Sequence, residues 1–330
     1  MRGIAATLVV LLHASISKGF AGHPPLGGLA SFGYSGVDIF FVLSGFIISY
    51  VHHRDLGHPR LIGPYLYKRV ARVYPFYWIV LAATFLERGV TPGSIPPADL
   101  FRSITLVHGP GLFVGIAWTL QYEVLFYALF ALAVLHRNLG RSVLLAWFGI
   151  SAVLLATNGH ENSAFGGVFG RFNLEFFFGV VAAQSLLRWR IGRPRLLFLV
   201  GVALFASLAA ADVLHVLPTS ARETYRLGYG LAALLVVLGL SAWELKAGIR
   251  VPRALLLAGN ASYAIYLTHV KTISLIGRAA PWVTQLRPSV AFAVLSAAGV
   301  GAGIGVHLLV EAPLQRWLRR RGPVRTAPAT

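Results

Sequence analysis

Two polar residues bracket the first apolar run of the chain, Arg2 at its start and His13 at its end. In a helix, their separation of 11 residues turns through about 1100°, roughly 20° beyond three full turns, and rises about 16 Å. Both side chains therefore lie on one helix face, the arginine at a membrane edge and the histidine near the middle of a bilayer. A titratable group in hydrocarbon costs several kcal/mol unless it is paired or hydrated, so His13 is a candidate functional residue.

Further titratable side chains fall inside other apolar runs, at depths that form two groups. Counting about 1.5 Å per residue predicts an outer-half group of His13, Asp38, Glu123 and His269. The same count predicts an inner-rim group of Arg2, Arg69, Arg72 and Glu311. The spacing of three residues between Arg69 and Arg72 suits a phosphate clamp, and it equally suits two positively charged membrane anchors. A lone histidine in a helix bundle is more often a packed hydrogen-bonding partner than a base. Four polar groups at one level make a functional role for His13 at least as well supported as packing.

The elements that would position these residues are transmembrane helices. Of 330 residues, 56% are hydrophobic and 12% are charged, about half the charged fraction of a soluble domain, and the mean hydropathy is +0.70. A helix needs about 20 apolar residues to cross a membrane. Ten runs approach that length: 3–18, 34–52, 70–87, 118–135, 142–157, 168–187, 195–213, 226–243, 256–276 and 289–312. We expect an all-α polytopic membrane protein with one domain at 1–315 and a basic, disordered tail at 316–330.

The loop charges predict how these spans are oriented. With the N-terminus inside, 20 of the 29 lysines and arginines fall on the inner side and 7, including Arg226, on the outer side. This bias predicts ten spans with both termini cytoplasmic. The net charge of +18 comes from basic residues scattered between apolar runs. That pattern favours anionic lipid over nucleic acid as the partner.

Several functional classes and local features are constrained by composition. The absence of cysteine excludes thiol nucleophiles, cysteine-ligated metals and disulfides. The nucleophile elbow, the Walker loop, the His-Glu-x-x-His motif and the dinucleotide-binding glycine motif are also absent.

A signal peptide is an alternative for the first apolar run, disfavoured because no soluble domain follows. Residues 88–117 are rich in proline and glycine and predict a long loop with a re-entrant piece at 101–116.

Six segments together resemble the integral membrane acyltransferase-3 family, whose members O-acylate sugars of bacterial envelope and secreted polysaccharides. They are Arg2-Gly3 through His13, Gly33 through Phe46 (GYSGVDIFFVLSGF), Arg69 through Pro75, Trp118 through Tyr127, Ser262 through His269, and Glu311-Ala312-Pro313. Each is weak alone, but six in order across the chain are specific. The chain looks most like members that decorate exopolysaccharide. It departs from the family in having only Met1 before Arg2 and no C-terminal esterase-like domain, so we expect a membrane-only member.

The resemblance implies a cytoplasmic acyl-CoA donor with acetyl as the expected acyl group, although succinyl or longer chains fit the sequence equally well. We expect no metal. We expect Arg2, Arg69 and Arg72 to hold the nucleotide phosphates through charge-assisted hydrogen bonds. The pantetheine arm is about as long as the Arg2-to-His13 rise, so an arm threaded along that face presents its thioester near His13. A neutral imidazole suits a general base acting on a sugar hydroxyl. Asp38 or Glu123 is expected to orient the ring or bind acceptor hydroxyls.

The expected acceptor is a saccharide or a lipid-linked saccharide. The predicted substrate-binding residues are Trp118, Tyr122, Tyr263, Tyr266, His269 and Glu311. Without a cysteine or a serine elbow, direct transfer is simpler than a covalent acyl-enzyme, and a relay through an acylated intermediate stays open.

Other polar and aromatic features have structural interpretations. His52-His53-Arg54-Asp55 looks like a metal or acyltransferase signature, but it lies in a basic loop without partners at ligand spacing, and we interpret it as a solvated helix end. Arg171 and Glu175 are expected to pair on one helix face. Tyr74, Trp78 and Trp118 are expected in an interfacial aromatic belt.

Two other functional classes fit the intramembrane polar residues. A proton-coupled transporter or flippase of a polysaccharide precursor or small polar solute also carries intramembrane His, Asp and Glu. Against it, no internal repeat relates the two halves of the sequence. A non-catalytic membrane sensor or assembly partner is the third class, and it predicts that the polar core residues tolerate loss.

Overall fold

The computed structural model describes residues 1–17, 25–91, 93–157, 167–216 and 222–323, and these residues form helices without any strand. The α-helices are α1 (Arg2–Ser15), α2 (Ser35–Val51), α3 (Ile62–Glu87), α4 (Pro97–Thr105), α5 (Trp118–Leu135), α6 (Arg137–Ala156), α7 (Phe172–Arg188), α8 (Pro194–Val213), α9 (Arg222–Ala247), α10 (Arg253–Ala279), α11 (Pro288–Val306) and α12 (Ala312–Arg321). Each predicted apolar run corresponds to one helix. The all-α prediction is confirmed.

Seven helical segments of the described chain are long and apolar enough to cross a membrane. They are Ser31–Val51, Pro59–Glu87, Gly115–Leu135, Arg137–Ala156, Pro194–Val213, Tyr225–Ala247 and Pro288–Arg321. The 14 residues of α1 span about 21 Å, less than the ~30 Å of a hydrocarbon core. The protein is therefore a polytopic membrane protein, and the number of ten crossings stays a prediction.

The chain divides into two compact units, each assembled from separate stretches. Unit 1 comprises Met1–Tyr50 and Glu175–Leu309, and unit 2 comprises Val51–Leu174 and Val310–Thr330. Unit 1 therefore contains α1, α2, most of α7, and α8 to α11. Unit 2 contains α3 to α6 and α12.

Unit 1 is built on close helix packing around α1. This helix packs against α10 and α11, while α8 pairs with α9. Glycine permits the nearest approaches: a Cβ at Gly36 of α2 would lie 2.3 Å from the Ala5 carbonyl oxygen of α1, and one at Gly45 would lie 2.2 Å from the Phe176 carbonyl oxygen of α7. Real Cβ atoms do not approach this closely, so the glycines of the 33–46 segment allow α2 to pack between α1 and α7.

In unit 2, aromatic residues of α3 bind the C-terminal end of the short helix α4. Tyr74 and Tyr77 donate hydrogen bonds from their hydroxyls to the carbonyl oxygens of Thr105 and Ser103, both at 2.6 Å. Trp78 donates to the Ile104 carbonyl at 2.9 Å. These carbonyls end a helix and need partners outside it. Tyr74 and Trp78 thus cap α4, a more specific role than the expected interfacial belt, and α4 occupies part of the predicted loop at 88–117.

The segment that follows α11 corrects the predicted boundary of the tail. A π-helical segment, His307–Glu311, precedes Pro313, which cannot donate a backbone hydrogen bond. The chain then continues as α12, so residues 316–321, expected to be disordered, are helical. Gln315 donates to the Ala71 carbonyl at 2.8 Å, and Tyr67 donates to the Leu318 carbonyl at 2.7 Å. These bonds hold α12 against α3, while residues 324–330 lie outside the described residues.

Candidate active site

His13 and His269 meet in unit 1, where α1 packs against α10. His269 Nε2 lies 3.3 Å from His13 Nδ1, and the ring centroids are 4.9 Å apart with the planes at 72°. His269 is fully buried, whereas His13 is partly exposed. The helix predicted for the first run is present, and two of the four residues predicted for the outer level are in contact.

The backbone around the two rings indicates which nitrogens carry hydrogen. His269 Nδ1 lies 2.6 Å from the Tyr266 carbonyl oxygen, and His13 Nδ1 lies 2.9 Å from the Val9 carbonyl oxygen. A carbonyl oxygen only accepts, so each Nδ1 is a donor. In the neutral rings, each Nε2 is then an acceptor. His269 Nε2 faces His13 Nδ1–H, and the Nε2 lone pair of His13 is left available as a base.

A row of aromatic rings in unit 1 connects Arg2 to this histidine pair. The guanidinium carbon of Arg2 lies 5.8 Å from the centroid of the Phe40 ring. Phe40 is 5.8 Å from Tyr266, and Tyr266 is 5.9 Å from His269, centroid to centroid. Phe40 is half-buried and Tyr266 is buried. The predicted Arg2 and His13 positions are therefore joined by side chains of α2 and α10 that sequence spacing did not reveal.

Asp38 has a partner that sequence reasoning missed. Its carboxylate is fully buried and accepts hydrogen bonds from Arg226 Nη2 at 3.1 and 3.2 Å and from Arg226 Nε at 3.3 Å. The Arg226 guanidinium also lies 4.6 Å from the Tyr34 ring centroid. Arg226 belongs to α9 rather than to an outer loop. The expectation that Asp38 orients the His13 ring or binds acceptor hydroxyls stays a prediction. In the structure its oxygens accept hydrogen bonds from Arg226, and the ring that contacts His13 is that of His269.

Unit 2 holds a second polar cluster, centred on Arg69 of α3. Arg69 Nη2 donates to His52 Nε2 at 3.4 Å, and His52 Nδ1 lies 2.7 Å from Asp55 Oδ2. His52 is 2% exposed and Asp55 is 4% exposed. The interpretation of residues 52–55 as a solvated helix end is therefore wrong for these two side chains. Their separation of three residues was visible in the sequence, but the burial of His52 comes from α3 and α5, through Tyr65 and Phe130.

Burial also governs the protonation of His52, which lies just outside the membrane-spanning part of α2. Burial lowers the pKa of His52, and the positive charges of Arg69 and Lys68 act in the same direction. The hydrogen bond that His52 donates to Asp55 opposes this shift and raises the pKa. The neutral ring donates from Nδ1 to Asp55 and accepts at Nε2 from Arg69, which matches the observed contacts.

Glu123 joins this cluster through one tyrosine. Tyr127 of α5 donates a hydrogen bond to Glu123, and its ring centroid lies 5.5 Å from the Arg69 guanidinium carbon. The Arg69 guanidinium is also 5.9 Å from the Tyr65 ring, and Tyr65 donates to the Tyr127 carbonyl at 3.0 Å. Tyr127 therefore contacts both Glu123, which was predicted in the outer half of the membrane, and Arg69, which was predicted at the inner rim.

Arg72, one turn along α3 from Arg69, has a carboxylate partner. Arg72 Nη1 donates to Glu311 Oε1 at 2.8 Å, and Glu311 is fully buried. By contrast, no carboxylate forms an ion pair with Arg69 among the residues that the structure describes. Arg69 and Arg72, to which the sequence assigned the same role, therefore differ in their partners. The structure also places Glu311, predicted to bind substrate, in an ion pair within the protein.

An aromatic group surrounds Trp118 and Tyr122 at the start of α5. Phe172 lies 5.0 Å from Trp118 and 5.4 Å from Tyr122, and His108 lies 5.0 Å from Tyr122, between ring centroids. Burial lowers the pKa of His108. Gln121 donates to the carbonyls of Val107 and Gly109, which fixes the loop that carries His108. His108 and Phe172 were missed because they lie outside the quoted motifs.

The remaining predicted residues are placed as follows. Tyr263 is buried on α10, in unit 1. Arg171 directly precedes α7 and belongs to unit 2, whereas Glu175 lies in the first turn of α7 and belongs to unit 1, so their predicted pairing stays a prediction. No cluster of three or more histidine, aspartate or glutamate side chains suited to a metal ion occurs among the described residues.

The fold is that of a helical membrane protein, with a histidine pair in unit 1 and a polar cluster around Arg69 in unit 2. The chain belongs to the acyltransferase-3 family, since the family model described as an acyltransferase domain matches residues 1–307. It is therefore a membrane-embedded acyltransferase, and the predicted family is confirmed.

Three curated relatives extend over most of this chain. It is 30% identical over 307 aligned positions to the exopolysaccharide production protein ExoZ of Rhizobium meliloti (strain 1021), covering 88% of this chain and 92% of that protein. It is 28% identical over 377 positions to the acyltransferase MdmB of Streptomyces mycarofaciens, covering 99% and 93%. It is 26% identical over 298 positions to the putative membrane-bound transacylase BcsY of Komagataeibacter xylinus, covering 82% and 70%. No solved structure matches the chain.

Proposed function

We propose that this acyltransferase moves an acyl group, acetyl in the first instance, from acyl-CoA to a hydroxyl of a saccharide, with His13 as the general base. The observation that carries the proposal is the environment of His13. Its Nδ1–H is directed at the Val9 carbonyl and at His269, which leaves the Nε2 lone pair to accept a proton. An imidazole with one free nitrogen lone pair suits proton abstraction from a hydroxyl.

The reaction then needs only groups that the chain and substrates supply. The acceptor oxygen attacks the thioester carbonyl carbon as His13 Nε2 takes the hydroxyl proton. The carbon–sulfur bond breaks, and the CoA sulfur leaves with the proton that His13 returns. During the step the His13 ring is cationic, and the Val9 carbonyl and His269 Nε2 accept its Nδ1–H. Direct transfer is thus the simplest route.

The donor assignment rests on separate features of the two units. In unit 1, the row from Arg2 through Phe40 and Tyr266 to His13 supports a path for the pantetheine arm, with Arg2 binding phosphate. In unit 2, the half-buried guanidinium of Arg69 supports phosphate binding, because no carboxylate among the described residues neutralises it. We assign Arg72 a weaker share in donor binding, since Glu311 already binds it.

The acceptor assignment draws on the relatives and on the aromatic residues. The names of two relatives point to exopolysaccharide production and to transacylation, which supports a polysaccharide or its lipid-linked precursor as acceptor. Sugar rings pack well on aromatic faces, so Trp118 and Tyr122 in unit 2 are proposed acceptor contacts. Tyr263 and Tyr266 are proposed acceptor contacts in unit 1. We further propose a bacterial inner-membrane location with both termini cytoplasmic, as the charge bias predicts.

The transporter and sensor alternatives are less well supported. Membership in an acyltransferase family supports an enzyme, and no described feature favours a carrier over it. A carrier predicts substrate movement without acylation, and a sensor predicts tolerance to loss of His13. Both outcomes are measurable in one assay.

The test uses purified full-length protein in proteoliposomes with acetyl-CoA labelled in the acetyl group and a crude polysaccharide acceptor. We expect label in the saccharide with wild-type protein and at least a 100-fold slower rate with His13→Ala. His58→Ala is the matched control, because that side chain is exposed. Full activity of the His13→Ala variant would contradict the general-base role, and saccharide movement without labelling would support the carrier.

A further inference from the structure

Arg69 is held in place by contacts on several sides of its guanidinium group. Nη2 donates to His52 Nε2 at 3.4 Å, and the rings of Tyr127 and Tyr65 lie 5.5 and 5.9 Å from the guanidinium carbon. Its Nε is buried and has no hydrogen-bond partner among the described residues. A buried cationic donor without a partner is costly, so this nitrogen is a candidate to meet an anionic ligand.

The His52–Asp55 pair has a structure that suits positioning rather than chemistry. Both side chains are buried, and His52 links Asp55 to Arg69. Asp55 accepts a hydrogen bond from His52 Nδ1, and His52 Nε2 accepts one from Arg69. With both ring nitrogens engaged, His52 has no free lone pair for a substrate proton. The carboxylate fixes the tautomer, and the tautomer presents an acceptor to the guanidinium.

We propose that His52 and Asp55 are positioning residues that orient Arg69 to bind a phosphate group of the acyl donor. This inference rests on the proposed function, which assigns Arg69 to donor binding. The three side chains form one chain of hydrogen bonds, Asp55 to His52 to Arg69, and only the last residue contacts the ligand. Loss of either earlier member leaves the charge of Arg69 in place but removes its fixed direction.

Protonation of His52 supplies a signature that a merely structural residue lacks. The titratable and charged groups that act on the ring are Asp55 from the turn after α2, and Tyr65, Lys68 and Arg69 from α3; α5 contributes the Phe130 ring. A protonated ring would place Nε2–H against Arg69 Nη2–H. Donor affinity is therefore expected to fall, in a His52-dependent manner, as the pH drops through the pKa of His52, which burial holds below its ordinary value.

The experiment measures binding of adenosine 3′,5′-bisphosphate, the phosphate-bearing end of CoA, to purified full-length protein by calorimetry. We expect His52→Ala and Asp55→Asn each to weaken binding about 10-fold, the effect of losing one hydrogen bond to a charged group. In the Arg69→Ala background, His52→Ala is expected to have no further effect. His52→Gln is the rescue variant, because its amide can donate to Asp55 and accept from Arg69, and it is expected to remove the pH dependence.

Controls separate failure of this inference from failure of the proposed function. His58→Ala changes an exposed histidine of the same loop and is expected to bind like wild type. If wild-type protein binds the nucleotide in an Arg69-dependent way but the His52→Ala variant binds it as tightly as the His52→Gln variant, the positioning role is overturned. An equal loss from His52→Ala with and without Arg69 also overturns it. Absence of binding by wild-type protein, with no acyl transfer, overturns the proposed function itself.

Discussion

His13 and His269 place two ring nitrogens 3.3 Å apart, although 256 residues separate them in the chain. Two imidazolium rings at this distance would repel strongly, so only one of them takes up a proton at a time. The arrangement gives the rings unequal roles. His13 is partly exposed with Nε2 available, while His269 is buried with both nitrogens engaged.

This inequality predicts different losses of activity at the two positions. Replacement His13→Ala removes the proposed base and is expected to lower kcat at least 100-fold. His269→Ala removes only one acceptor from the His13 Nδ1–H and is expected to lower kcat about 10-fold. The rates are measured as transfer of labelled acetyl groups in proteoliposomes. A double variant that is no slower than His13→Ala alone would show that His269 acts through His13, whereas a further large drop would contradict this dependence.

Arg69 and Arg72 are expected to differ in what they support. Arg69→Ala is expected to weaken nucleotide binding 10-fold or more with little change in stability, because it removes a cationic phosphate ligand. Arg72→Ala removes the hydrogen bond to the buried Glu311 and is expected to cost about 2 kcal/mol of stability, less than for a fully buried pair because Arg72 is partly exposed.

The measurements are calorimetric nucleotide binding and thermal unfolding in detergent. The double variant with Arg72→Ala and Glu311→Gln is the control for the ion pair, since it removes both charges. It is expected to recover part of the stability lost in the single variant. Equal effects of Arg69→Ala and Arg72→Ala on nucleotide affinity would contradict the distinction between them.

Asp38 and Arg226 are expected to act mainly on stability. Asp38→Asn removes the carboxylate charge that is bound to the Arg226 guanidinium, which is 11% exposed, and the expected cost is about 3 kcal/mol. Thermal unfolding in detergent measures the loss, and kcat per folded molecule is expected to stay within about threefold of wild type. A stable Asp38→Asn protein with a large fall in kcat would instead support the catalytic role predicted from the sequence.

Glycine at position 36 is expected to be required by packing. Gly36→Ala places a Cβ 2.3 Å from the Ala5 carbonyl oxygen, so α1 and α2 must separate, at an expected cost of about 2 kcal/mol. Gly63→Ala is the matched control in α3, where nothing lies within 4 Å of the added Cβ, and it is expected to be neutral or slightly stabilising. If the Gly36→Ala and Gly63→Ala variants unfolded at the same temperature, the packing argument would be refuted.

Stability is expected to depend on pH through His52. Its folded pKa lies below the unfolded value of about 6.5, so between these two values the unfolded chain binds more protons. The free energy of unfolding therefore falls as the pH drops through 6.5, and the contribution of His52 is fully present above it. The check compares unfolding temperatures from pH 8 to pH 5 for wild type and His52→Gln. The slope is expected to be shallower in the variant, and identical slopes would exclude a contribution from His52.

Much of the fold was predictable because membrane crossing imposes a simple rule on sequence. Each helix that spans hydrocarbon needs a long apolar run, so composition and run length predicted the all-α architecture and the position of each long helix. The spacing of Arg2 and His13 on one helix face followed from helix geometry alone. The six family-like segments identified the acyltransferase family, which the comparison confirmed.

Partners across helices were decided only by the tertiary structure. The sequence grouped Arg69 with Arg72 and Asp38 with His13, because spacing and depth do not specify which distant side chain meets which. In unit 1, the packing of α2 with α9 brings Asp38 to Arg226. In unit 2, Arg72 of α3 meets Glu311. The His52 ring is covered by Tyr65 of α3 and Phe130 of α5. Residues that the sequence presents as a polar loop therefore form a buried hydrogen-bonded pair, His52 and Asp55, beside Arg69.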